Sequence, residues 1–207
     1  MASAPIRDPL GDHLLTPKNA ALLLIDYQPP QFSAVNSIDR GLLLENIVST
    51  VKTAKAFGLP IVHSTINVAT GRSESTVPRL AELLEESPPI DRTSTNAWED
   101  ADFLAAVRAN GRRKLIVCAL WTEICMAFPA LDALREGYDV YPVADAIGGT
   151  SDEAHRIGLE RVVQAGAQPV TWVALAVELQ RDWAREETVA DVIQIVLTDR
   201  LLKANQD

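Results

Sequence analysis

The chain has 207 residues, a formal charge of −9 and 47% hydrophobic residues, which suits one globular domain with a full core. The acidic balance argues against nucleic acid and anionic membrane as partners, and no apolar run approaches the roughly 18 residues that cross a bilayer. Two cysteines give no disulfide framework, and the opening "MASAPIRDPLGDHLL" lacks the apolar stretch of a signal peptide, so a cytoplasmic location is expected.

Apolar, β-rich runs alternate with helical patterns along the chain. "AALLLID" (20–26) predicts a buried strand that ends in an acid. "GLLLENIVSTVKTAKAFG" (41–58) has helical period and a Gly stop. "LPIVHST" (59–65) predicts a second strand. Residues 66–97 read as mostly irregular, with a short helix near 79–86. "EDADFLAAVRANG" (99–111) is a helix with acids in its first turn. "KLIVCAL" (114–120) is a third strand, followed by a helix over 122–137. "YDVYPVAD" (138–145) is a strand, and 151–166 a helix with Ser151 as its cap. "AQPVTW" (167–172) predicts a short last strand, and 173–206 one or two helices. The whole is read as one domain over 1–207, with 173–207 as a C-terminal helical extension.

Strands that alternate with helices imply parallel pairing through crossovers. Nearly all-apolar strands fit a sheet covered on both faces. The expected fold is therefore a three-layer α/β/α domain around a central, mainly parallel sheet. Ligands in such sheets bind beyond the carboxyl ends of the strands. That rule places Asp26, His63 to Thr65, Trp121 to Cys125 and Asp145 on one rim.

Cys125 is the residue on that rim with the most chemistry. With Thr122 as N-cap it falls in the first turn of a helix, where the positive end of the dipole would favour thiolate and lower the pKa. Strand, turn and helix also form the setting of a nucleophile elbow. A small buried hydrophobe is the other reading of the same residue. Pro129 has no N–H to give the Cys125 carbonyl, which predicts a kink. Cys118, in mid-strand, reads as core. A thiol nucleophile needs a base and often a cation. Asp26 could be the base, its pKa raised by desolvation, or a turn-forming strand-end acid. Arg92 could be the cation, or a solvated surface residue. His63 could line the pocket or serve the fold, and His13 and His155 are weaker candidates. "AIGGTS" (146–151) places two glycines before a helix start and could hold an anion, but it is too short for a nucleotide loop. No metal-ligand spacing occurs.

The segments "LLLIDYQPPQF", "DRTSTNAWEDADF" and "KLIVCALWTEICMAFPALDALREGYDVYPVADAIGGTS" resemble the isochorismatase-like, or cysteine, hydrolases. The likeness covers about residues 18–172 and is strongest to a bacterial subgroup of uncharacterised octamers. It implies Asp26 as base and Cys125 as nucleophile. Arg92 and Trp98 stand at the places of the family's Lys and following aromatic. Arg keeps the positive charge but not a Lys's capacity to give up a proton. The resemblance further implies a non-proline cis bond at Leu120–Trp121, an oxyanion site from the Trp121 and Cys125 amides, and Gln28, Phe32 and Trp98 near the substrate. "VHSTINVATGR" lacks the Asp and histidines of the family's metal-dependent nicotinamidases, so neither metal nor cofactor is expected. The implied protein is a homo-oligomer, with octamers known in the subgroup, that hydrolyses a small amide, ureido or related acyl substrate. The alternative is a catalytically silent or redox-sensing oligomer on the same fold.

Overall fold

The computed structural model describes residues 3–5 and 7–201. Five strands form one sheet in the order β3-β2-β1-β4-β5, with every pairing parallel. The strands are β1 (Ala20–Ile25), β2 (Ile61–Ile66), β3 (Ile90–Arg92), β4 (Lys114–Ala119) and β5 (Asp139–Pro142). Every residue of β1 and β4 is buried, as expected of central strands with both faces covered. Parallel neighbours need crossovers, and helices supply most of them.

The helices are α1 (Pro29–Ser33), α2 (Arg40–Ala56), α3 (Pro78–Ala81), α4 (Ala101–Ala109), α5 (Ala127–Arg135), α6 (Asp152–Gln164), α7 (Trp172–Gln180) and α8 (Glu186–Val192). Short polar side chains set several of their starts. Asp39 accepts from the Leu42 N–H, Asp100 from those of Asp102 and Phe103, and Ser151 from that of Ala154. Gly58 and Gly111, both at positive φ, turn the chain out of α2 and α4.

Three expectations change. The stretch 66–97 contains an edge strand, β3, too short for a period to show. The predicted strand at 167–172 shrinks to one bridge, Val143 to Val170. Pro169 has no N–H for a ladder there, and Thr171 already caps α7 through the Ala174 N–H. The helix over 122–137 divides into a π-helical turn (Thr122–Met126) and α5. In that turn the Met126 N–H reaches the Trp121 carbonyl five residues back. Pro129 removes the ordinary α partner of the Cys125 carbonyl, so the chemistry that predicted a kink widens the winding instead.

The C-terminal segment closes its own domain. α7 and α8 pack on α2, with Leu175, Leu179, Val192 and Val196 buried. Val177, Trp183, Ile193 and Leu197 remain exposed. Residues 202–206 of the predicted C-terminal helices lie outside the described residues. Among the described residues no helix is long and apolar enough to cross a membrane.

Candidate active site

The chain order of the sheet reverses at β1. β2 and β3 lie to one side of it, β4 and β5 to the other. Ile25, the last residue of β1, pairs with Ser64 and with Ala119. The crevice beyond this switch point is where such sheets bind ligands.

Asp26 follows directly. Its N–H donates to the Ser64 carbonyl at 3.0 Å, and its φ of 62° turns the chain out of the strand, a conformation Asp tolerates better than most residues. Arg92 ends β3 and lies opposite Ile66. Its Nη2 donates to Asp26 Oδ2 at 2.5 Å, and both side chains are 0% exposed. Its Nη1 donates to the Ser94 carbonyl. The surface-Arg reading therefore fails: Arg92 is the buried counter-ion of Asp26.

Cys125 is 7% exposed and lies against this pair. The Cys125 thiol and the Asp26 carboxyl act on each other's ionisation, and Asp26 Oδ1 is buried without a hydrogen-bond partner. The Leu120–Trp121 peptide bond is cis. Burial raises the Asp26 pKa, and Arg92 only partly offsets it. Burial first, then the Asp26 charge, pushes the Cys125 thiol up to about 12, with Arg92 and the Trp121 N–H pulling weakly the other way. This corrects the expectation of a dipole-lowered thiol. Trp121 rather than Thr122 occupies the cap position, no side chain caps the turn, and the turn is π-helical. The nearest full negative charge, Asp26, outweighs the partial positive charges. Thiol and carboxylate therefore titrate as a coupled pair in which burial and the Asp26 charge disfavour the thiolate.

The substrate-side residues divide. Phe32 is half-buried on α1, edge-on to Tyr27 at 5.8 Å between centroids. Trp121 is half-buried, and its indole N–H reaches the Gln31 carbonyl at 2.9 Å, which ties α1 over the cysteine turn. Gln28 is tied into the fold. Its Oε1 accepts from the Ile66 N–H, and its Nε2 lies within hydrogen-bond reach of the Ile66 and Glu74 carbonyls and of Ser73 Oγ. Trp98 points away: its indole donates to Glu136 at 2.9 Å and its ring packs on Tyr138, beyond the far end of α5. The resemblance places it near the substrate, while its own contacts lie toward the C-terminal end of α5.

The rim is also smaller than expected. His63 lies within β2, not at its end, between the Ser87 carbonyl at 3.1 Å and Thr76 Oγ1 at 2.7 Å. The carbonyl requires an Nδ1–H donor, so Nε2 accepts from Thr76 and burial holds the ring neutral. Asp145 accepts from the Trp172 N–H and serves the start of α7. Clefts of about 680 Å³ beside residues 3–18 and about 630 Å³ along α5 are not lined by Asp26, Arg92 or Cys125. Switch-point position and buried charge outweigh cleft size in locating the centre. Among the described residues no His, Cys, Asp and Glu cluster could hold a metal.

Sequence reasoning missed Glu123, Thr150 and the use of His155. Glu123 Oε1 accepts from the Thr150 N–H and hydroxyl, and Thr122 Oγ1 meets His155 Nδ1 at 2.8 Å. The signal was the glycine pair of "AIGGTS": the anion it faces belongs to the chain itself.

An all-parallel α/β sheet that encloses a thiol, a carboxylate and a guanidinium at its switch point defines a class of α/β domain. A model of the isochorismatase domain matches residues 20–174. The chain belongs to the isochorismatase family, a family of hydrolases. The Escherichia coli K12 protein named probable hydrolase YcaC is 39% identical over 173 residues, 83% of this chain and 83% of that protein. The solved structure of E. coli YcaC, described as an octameric hydrolase of unknown specificity, shares a TM-score of 0.85 and 36% identity over 95% of this chain and 97% of that one. YcaC from Pseudomonas aeruginosa, solved with hexane-2,5-diol and covalent acrylamide, gives a TM-score of 0.85 and 32% identity over 94% and 98%.

Proposed function

We propose that the protein is a cysteine hydrolase of a small amide, ureido or related acyl substrate. The observation that carries this reading is the burial of Cys125, Asp26 and Arg92 together at the switch point. Asp26 takes the thiol proton as sulfur attacks the carbonyl carbon. The Trp121 and Cys125 amides hold the resulting oxyanion. Arg92 keeps Asp26 in place and balances its charge. Collapse of the tetrahedral species breaks the C–N bond, and the amine leaves with the proton from Asp26. Asp26 then deprotonates water, which attacks the thioester. The acid departs and the proton returns to sulfur. No metal or cofactor takes part. Covalent acrylamide in the P. aeruginosa relative supports a reactive centre, since acrylamide is an electrophile that thiolates capture.

The test is a panel of small primary amides and ureido acids with mass spectrometry of the protein. Cys125→Ala is expected to lower kcat/KM on any accepted substrate by at least about 10³-fold and to abolish the acyl adduct. Turnover by Cys125→Ala at the native rate would refute the reading. A silent role draws on the high thiol pKa and predicts neither an acyl adduct nor sulfenate. A redox role predicts peroxide-dependent sulfenate at Cys125 and no acyl adduct, and the high thiol pKa weighs against it.

We also infer a homo-oligomer. The E. coli relative is octameric, and Trp183, Ile193 and Leu197 leave apolar surface exposed on the C-terminal segment of one chain. Light scattering is expected to give a multiple of the chain mass, and a concentration-independent monomer would refute this.

A further inference from the structure

We propose that Glu123 is a positioning residue for Cys125, its carboxylate tying the π-helical turn to the loop that starts α6. The inference rests on Cys125 as the nucleophile. Glu123 lies two residues before it within the same turn. Its Oε1 accepts from the Thr150 backbone N–H at 3.1 Å and from the Thr150 hydroxyl at 2.6 Å. Its Oε2 is buried without a hydrogen-bond partner. A Cβ on Gly149 would fall 2.9 Å from that oxygen, so the glycine is what admits the carboxylate. Leaving a buried oxygen unpaired is unfavourable, whereas a glutamate held only for solubility would turn toward water.

Other contacts lock the same turn to the same elements. The Thr122 N–H donates to the Gly148 carbonyl at 2.9 Å, and Thr122 Oγ1 meets His155 Nδ1 at 2.8 Å. A Cβ on Gly158 would lie 2.9 Å from Glu123 Cα and 3.0 Å from its N, so α6 rests directly on the turn backbone. Trp121, whose backbone N–H favours the Cys125 thiolate, leads into this clamped segment. Freeing Glu123 would let the turn shift against Asp26, which is fixed separately on β1. Displacements of this kind degrade attack geometry steeply.

The experiment is acrylamide alkylation of Cys125 between about pH 6 and pH 10, a range around the unperturbed thiol pKa, read by peptide mass spectrometry with buried Cys118 as internal reference. Native protein is compared with Glu123→Gln, Glu123→Ala and Thr150→Val, each checked by thermal melt. Glu123→Gln keeps an acceptor oxygen for Thr150 and is expected to stay within about two-fold of the native rate and profile. Glu123→Ala and Thr150→Val are expected to slow Cys125 at least about five-fold and to displace its pH profile, while Cys118 stays protected. Native behaviour in both of the latter variants would overturn the tie while leaving the nucleophile intact. So would a loss in Glu123→Gln as large as that in Glu123→Ala. If native Cys125 does not react at all while the denatured protein does, the nucleophile reading fails, and this inference fails with it.

Discussion

Asp26→Asn is expected to separate the reactivity of Cys125 from turnover. Burial and the Asp26 charge push the native thiol up to about 12, so it is largely protonated at pH 8. The Asp26 charge and the hydrogen bond to Asp26 follow burial as the leading causes of that elevation. Asparagine removes the charge yet can still accept from Arg92 through its amide oxygen. Arg92, buried without a carboxylate, then favours the thiolate as its counter-ion. Alkylation by iodoacetamide at pH 8 should therefore rise by roughly ten-fold or more, one pKa unit being a factor of ten. Hydrolysis of any accepted amide should fall by about 10²- to 10⁴-fold, because the neutral amide cannot pass the proton to the leaving amine or take one from water. The two assays must move in opposite directions. If both fall together, Asp26 serves mainly to hold the site in shape. If neither moves, it is not the base.

This opposition also shows which parts of the site a sequence can display. Asp26 was legible because it ends an all-apolar run, and a run of that kind has one place in a parallel sheet. Cys125 was legible because it follows another such run by a turn. Arg92 was far less so. It lies in a stretch without period, its strand has three residues, and a solvated surface Arg fits the same sequence equally well. The direction of the thiol pKa was misread, since a pattern of helix start and cysteine carries the dipole but not the burial or the carboxylate packed against it. Only the resemblance puts Gln28 and Trp98 near the substrate. Each in fact bonds to elements that only the folded topology brings near: Gln28 to the end of β2 and the loop at 73–74, Trp98 to the far end of α5. Sequence spacing reports which rim a residue starts from, while hydrogen-bond demand decides which way its side chain turns.

Arg92→Ala tests the other half of the buried pair. Removing one member of a fully buried ion pair leaves the other uncompensated, at a cost of about 3–5 kcal/mol. In a chain of 207 residues that corresponds to a drop in melting temperature of roughly 10 °C. The loss should depend on pH in a defined direction. The Asp26 pKa is already raised by burial, with Arg92 the main opposing influence; without Arg92 it rises further. A carboxyl whose folded pKa lies above its unfolded value binds more protons folded than unfolded between the two. Its contribution is favourable at low pH and is lost as the pH climbs through the folded pKa. The gap between native protein and Arg92→Ala should thus be widest in alkaline solution and narrow toward acid, where a protonated Asp26 no longer needs a counter-ion. Arg92→Lys should recover part of the stability, since it restores the charge but not the fork that reaches both Asp26 and the Ser94 carbonyl. Melts compared between acidic and alkaline solution decide the matter. A gap of equal size at both would mean that Arg92 stabilises the fold by packing alone, and that the positive charge beside Asp26 and Cys125 belongs to the chemistry of the site and not to its assembly.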